Sequence, residues 1–192
     1  MRWCFGVSFL ALLGISTAFA QTETFTAKPD QSEVAFSLGD VMYSVHGTFH
    51  VERGSVLFDL SSPQMSGSIV VAAGSGKSGN DTRDHRMSTD VLNASQFSDA
   101  TFSPKHMNGS ISAPGDSTVQ VDGVFTLHGT PHDLTVPMQI HMEGENCTAK
   151  TRFIIPYVKW GLKDPSTFLL RVGKEVDINI TLVGQLSAKT AQ

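Results

Sequence analysis

The stretch Val119-Gln120-Val121-Asp122-Gly123-Val124-Phe125-Thr126-Leu127-His128-Gly129-Thr130-Pro131-His132-Asp133-Leu134-Thr135-Val136-Pro137-Met138-Gln139-Ile140-His141 decides the fold. Val119, Val121, Gly123, Phe125 and Leu127 alternate with Gln120, Asp122, Thr126 and His128. After the turn signal His128-Gly129-Thr130-Pro131 the alternation resumes, with Leu134, Val136, Met138 and Ile140 set against Thr135, Pro137, Gln139 and His141. A period of two sends successive side chains to opposite faces, so both halves read as antiparallel strands with one dry and one wet face.

The same rhythm extends in both directions. Upstream, Val34, Phe36 and Leu38 share a face, as do Val45, Gly47, Phe49 and Val51 against His46, Thr48 and His50. Downstream, Val176, Ile178, Ile180 and Leu182 alternate with Asp177, Asn179 and Thr181. Weaker strands are expected over 23–28, 54–60, 67–73, 99–107 and 148–156. Turn signals such as Lys28-Pro29-Asp30, Asn108-Gly109, Pro114-Gly115-Asp116 and Glu143-Gly144-Glu145-Asn146 separate most of them. Many short strands suggest a barrel or a sandwich, and one-sided alternation favours the barrel, which leaves no open edge. One segment breaks the pattern. Behind the Gly/Ser-rich run Gly74–Gly79, Asn80 or Asp81 caps a short helix expected over 81–93. Met87, Val91 and Leu92 form its apolar stripe, with Arg83, Asp84, Arg86 and Asp90 expected on the wet side.

The chain has 192 residues and a net charge of −4. Residues 1–20 read as a cleavable export signal: Arg2, an apolar or small run from Phe5 to Ile15, then Ala18-Phe19-Ala20. Cleavage after Ala20 is expected to leave residues 21–192 as one domain in the periplasm or outside the cell. The apolar run is too short to span a bilayer comfortably, and no later segment is apolar for long enough, so no integral membrane protein is expected after processing. The acidity argues against nucleic acid as a partner. Of the two cysteines only Cys147 lies beyond the signal, which rules out an intrachain disulfide in the processed chain.

Candidate chemistry is sparse. Seven histidines are present, but His46 and His50 sit about 13 Å apart on one strand. His128 and His132 bracket a turn without the further ligands a metal needs. Exposed strand histidines are the simpler reading, and neither a metal nor a cofactor is implied. Gly74-Ser75-Gly76 lacks the strand–elbow–helix frame of a nucleophile, and Gly76-Lys77-Ser78 lacks the upstream glycine of a phosphate loop. No catalytic residue is assigned. Arg83-Asp84 either reaches a ligand head group or ties the helix to the barrel, with the structural role favoured. Tyr157, Lys159, Trp160, Lys163 and Arg171 either line a barrel mouth or cover a barrel end.

Taken in order, these residues resemble the YceI-like family, exported lipid- or polyisoprenoid-binding proteins with a lipocalin-like barrel. The resemblance runs over roughly residues 24–186. It rests on Ser32–Phe36 with Val45–Phe49, on Gly54–Asp59, and on Arg83-Asp84, Met87, Val91-Leu92, Phe97 and Phe102. Gly123–Gly129 with Leu134–Val136, Lys159-Trp160-Gly161 and Val172–Val176 complete it. Ser98 departs, standing where many members carry Pro after an aromatic residue.

The resemblance implies an all-β, eight-stranded antiparallel barrel holding an extended isoprenoid or similar chain, with no catalysis. The residues expected to line the ligand tunnel are Val34, Phe36, Val45, Phe49, Val56, Phe58, Ile69, Val71, Phe102, Phe125, Leu127, Val136, Met138, Ile178 and Ile180. Trp160 and Arg83 are expected near its ends. Gly47 and Gly123 on the inner face are expected to leave room for a guest, an apolar or amphipathic lipid-like molecule. Two alternatives stand beside this: a barrel enzyme using His46 or His128 as base, and an interaction barrel with a solid core. Oligomeric state stays open, a homodimer included.

Overall fold

The computed structural model describes residues 22–40, 44–60, 62–167 and 171–189; the expected export signal lies outside them. Ten strand segments close into an eight-stranded antiparallel barrel. The segments are β1 (Thr22–Ala27), β2 (Glu33–Asp40), β3 (Ser44–Phe49), β4 (Val51–Asp59), β5 (Ser62–Ala72), β6 (Asp99–Asn108), β7 (Gly115–Leu127), β8 (Thr130–Glu143), β9 (Asn146–Ile155) and β10 (Val172–Lys189).

Ten segments fill eight positions because two strands are bent. β1 and β2 pair in turn along β10, from Thr22↔Lys189 to Asp40↔Val172. Between them the turn Pro29–Gln31 lifts off the sheet, as its proline predicts. The turn is stitched back by Lys28 N–H donating to Val183 O at 2.7 Å and Val183 N–H donating to Ser32 Oγ at 3.1 Å. β3 and β4 are likewise one strand bent at His50. The register then slips between Val51 and Arg53, so Glu52 and Arg53 both face water and Gly54, Val56 and Phe58 face inward. The β1–β4 and β1–β10 pairings shut the ring.

The hairpin that decides the fold is paired from Leu127↔Thr130 to Gly115↔Met142. Its two-residue turn carries His128 at φ 52° and Gly129 at φ 73°, the left-handed pair that a tight hairpin needs. The inner rows are those that alternation marks: Val119, Val121 and Val136 are at most 2% exposed.

A seam interrupts the wall. β8 pairs with β9 only from Glu143↔Asn146 to Met138↔Thr151. Counting from the two-residue hairpins at either end, the odd-numbered residues of β8 turn their N–H groups toward β9. Pro137 is next in that ladder and has no N–H, so the two strands part there.

The helix α1 (Asp81–Arg86) continues as a wider turn over Met87–Val91, two residues short of the expected end. Asn80 is its cap, its Oδ1 accepting from Arg83 N–H at 3.0 Å. Met87, Val91 and Leu92 pack on the barrel core as their spacing predicts.

Candidate ligand cavity

The inward rows leave two adjoining chambers that share part of their walls. The upper chamber, beneath α1 and the β2–β3 end, has a volume of about 510 Å³. Of the residues expected at the site, Val34, Phe36, Val45, Phe49, Leu127 and Ile178 line it, and Arg83 sits on its rim. The lower chamber is about 100 Å³. Val56, Phe58, Ile69, Phe102, Val136 and Met138 face it, with Ile111 from the β6–β7 loop. Val71, Phe125 and Ile180 border both.

Trp160 lines neither chamber. The segment 156–167 folds over the barrel end, with Tyr157 and Leu162 buried into the upper chamber. The Tyr157 hydroxyl donates to Gly173 O at 2.7 Å. This segment carries Trp160 to the β8 side of the seam, where its ring stacks on His132 at 4.0 Å and lies 6.0 Å from Phe125. Of the cluster singled out with it, Lys159, Lys163 and Arg171 are exposed. The segment covers the barrel end.

Three other expectations need correcting. First, His132 is not an exposed strand histidine. It has the parity of Leu134 and Val136 and faces inward, its Nε2 buried without a hydrogen-bond partner. That parity was readable in the sequence, but the adjacent turn obscured it. Second, Asp84 is 6% exposed rather than wet. Its carboxylate accepts from Ser78 N–H at 2.9 Å and from the Ser78 hydroxyl. Arg83 turns back on the same residue, Nε–H donating to Ser78 Oγ at 2.7 Å and Nη2–H to Ser78 O at 2.8 Å. The pair ties α1 to the preceding loop. The Ser78 hydrogen bonds, together with Lys77 and Arg83, hold the Asp84 carboxyl below the usual aspartate range despite its burial.

Third, the inner-face glycines do not create the cavity. A Cβ on Gly47 would stand 2.5 Å from the Phe36 ring, and one on Gly123 2.7 Å from the Phe102 ring. Those rings already fill the space the glycines leave. The void comes instead from the bore of the closed ring.

The chemistry of the walls is simple. Apart from Tyr157, whose hydroxyl is engaged by Gly173 O, the polar side chains at the upper chamber cluster in one stretch, Ser78, Asn80, Thr82, Arg83 and Arg86, of which Asn80, Thr82 and Arg86 are exposed; this is the mouth. Below it the surface is aliphatic and aromatic, with Thr151 the polar exception in the lower chamber, its hydroxyl buried and unpartnered. Cys147 also lines the lower chamber, and burial pushes its thiol up to about 11. Among the described residues no three His, Cys, Asp or Glu side chains converge as a metal site needs, and no helix is long and apolar enough to cross a membrane.

Known proteins share this architecture. The family model for the YceI-like domain matches residues 25–184. UPF0312 proteins are among the relatives in sequence. One from Pseudomonas putida F1 is 29% identical over 139 residues, 71% of this chain and 70% of its own. One from Pseudomonas fluorescens SBW25 is 26% identical over 183 residues, 91% of both chains. In fold, BcnA of Burkholderia cenocepacia superposes with a TM-score of 0.69 at 21% identity, over 82% of this chain and 98% of that one. A domain from Saccharophagus degradans, described as a polyisoprenoid binding domain implicated in plant cell wall breakdown, gives 0.67 at 15% identity over 85% and 98%. With a match across nearly all of the barrel, and with the closed ring and the helix after β5 both in place, the chain belongs to the YceI-like family.

Proposed function

We propose that this protein is an exported carrier or buffer for a single apolar or amphipathic chain, such as a polyisoprenoid, a quinone-like or a fatty molecule, and that it catalyses nothing. The observation that carries this reading is the upper chamber: about 510 Å³ of largely apolar space whose polar side chains, Tyr157 apart, are gathered at one mouth. An apolar chain gains about 0.8 kcal/mol for each methylene it buries there, while a buried unpaired charge is penalised by several kcal/mol. A guest with one polar end therefore enters chain first and leaves that end beside Arg83 and Arg86. The polyisoprenoid binding described for the Saccharophagus degradans domain is in keeping with this.

The walls offer little to a catalyst. Arg83 and Arg86 stand at the mouth, the Tyr157 hydroxyl is held by Gly173 O, and the Cys147 thiol stays protonated near neutral pH. His132, the inward histidine, is covered by Trp160. Residues 1–20 would direct the chain across the membrane, and Edman sequencing of the processed protein should start at Gln21.

The direct experiment is solvent extraction of protein purified from its native host, followed by mass spectrometry, with uptake of prenols from vesicles as its partner. Recovery of a stoichiometric chain-like lipid is expected. An extract without lipid, together with no uptake, would remove the carrier reading and leave the barrel.

A further inference from the structure

The cavity is divided, and the division is aromatic. Five residues border both chambers: Val71, Ala100, Phe125, Phe153 and Ile180. They come from β5, β6, β7, β9 and β10 and form a belt around most of the ring. Phe125 and Phe153 meet edge to face across it, ring centroids 6.2 Å apart. Above the belt the space is about 510 Å³, below it about 100 Å³.

We infer that this belt, with Phe153 as its movable half, sets the length of chain the protein accepts. The inference rests on the carrier reading and adds a length to it. An apolar cavity of about 150 Å³ holds one benzene, six carbons. On that scale the upper chamber houses roughly twenty carbons and the lower roughly four more. A guest of about four isoprene units fills the upper chamber from mouth to belt. A longer one must either displace the aromatic pair or leave carbons outside. Phe125 is braced from behind by Trp160 at 6.0 Å, whereas Phe153 has the unpaired end of β9 on its β8 side.

A membrane donor makes length measurable, because a carbon drawn from a bilayer into water lowers occupancy about fourfold. The mature full-length protein is incubated with phosphatidylcholine vesicles holding equal amounts of farnesol, geranylgeraniol, geranylfarnesol and solanesol (three, four, five and nine isoprene units). Protein is separated from vesicles and its prenols are counted by mass spectrometry.

Wild type should load geranylgeraniol at least about tenfold over solanesol, since even a few unhoused carbons lower occupancy by more than that. Phe153→Ala opens roughly 100 Å³ and joins the chambers, so geranylfarnesol should rise about tenfold relative to geranylgeraniol. Phe153→Leu, which keeps more of the packing, should shift the profile the same way by less and serves if the alanine variant fails to fold. Solanesol loaded as readily as geranylgeraniol, or an unchanged length profile in a folded Phe153 variant, would overturn the belt as a ruler. Failure to load any prenol would instead remove the carrier reading, and this inference with it.

Discussion

At Gly47 the β3 backbone passes so close to Lys77 O that a methyl group there would lie 2.3 Å from it, with the Phe36 ring at 2.5 Å. Gly47→Ala therefore asks backbone as well as a side chain to move, and overpacking of this kind costs about 1–3 kcal/mol. Calorimetry should show a lower Tm, and an unchanged Tm would mean that the β3–Lys77 contact yields freely. Asp84 is the second residue whose role is decided by contact. Its folded carboxyl titrates below the ordinary 3.8, chiefly through the Ser78 hydrogen bonds. A depressed acidic group contributes stability that is present above its unfolded value and lost as pH falls through the folded one. The Tm of wild type should thus fall more steeply below about pH 4 than that of Asp84→Asn, which is already destabilised at neutral pH. Parallel pH–Tm curves for the two would contradict this. Cys147, with its thiol at about 11 and its side chain buried, should react with a thiol reagent at pH 8 only on unfolding.

At the scale of elements, two pieces close the barrel end without belonging to the sheet. α1 is a short helix held by one cap and by the Ser78 contacts. Asn80→Ala should cost about 1 kcal/mol and speed hydrogen exchange over 81–91 while β7 and β8 stay protected. The segment 156–167 seals the seam left by Pro137. Trp160→Ala removes the ring that covers His132 and backs Phe125. Because that ring is only half-buried, a loss of about 2 kcal/mol is expected, short of the 3–5 kcal/mol of a fully buried one. Hydrogen exchange over Arg152–Ile155, the end of β9 that has no partner on β8, should rise with it, and equal protection there would place the seal elsewhere.

For the whole molecule, closure of the ring is what matters. Ten segments make eight positions because β1–β2 and β3–β4 bend, and the bore that results is wider than its inward side chains fill. A saturating prenol should raise the Tm as mass action requires, by about 2.7 kcal/mol of added stability when its free concentration is a hundred times Kd.

Strands and inner rows were legible in the sequence because period-two alternation is a local property, carried within single runs such as Val119–Leu127 and Leu134–Ile140. The helix and its stripe were legible for the same reason, through Asn80, Met87 and Val91. What the sequence left hidden was relational. The burial of Asp84 depends on Ser78 meeting it, the covering of His132 on Trp160 arriving from another segment, and the filling over Gly47 and Gly123 on rings from neighbouring strands. The void itself is written in no segment. It is the difference between the bore of a closed eight-strand ring and the side chains that strands far apart in sequence send into it, and that difference exists only once the ring has closed.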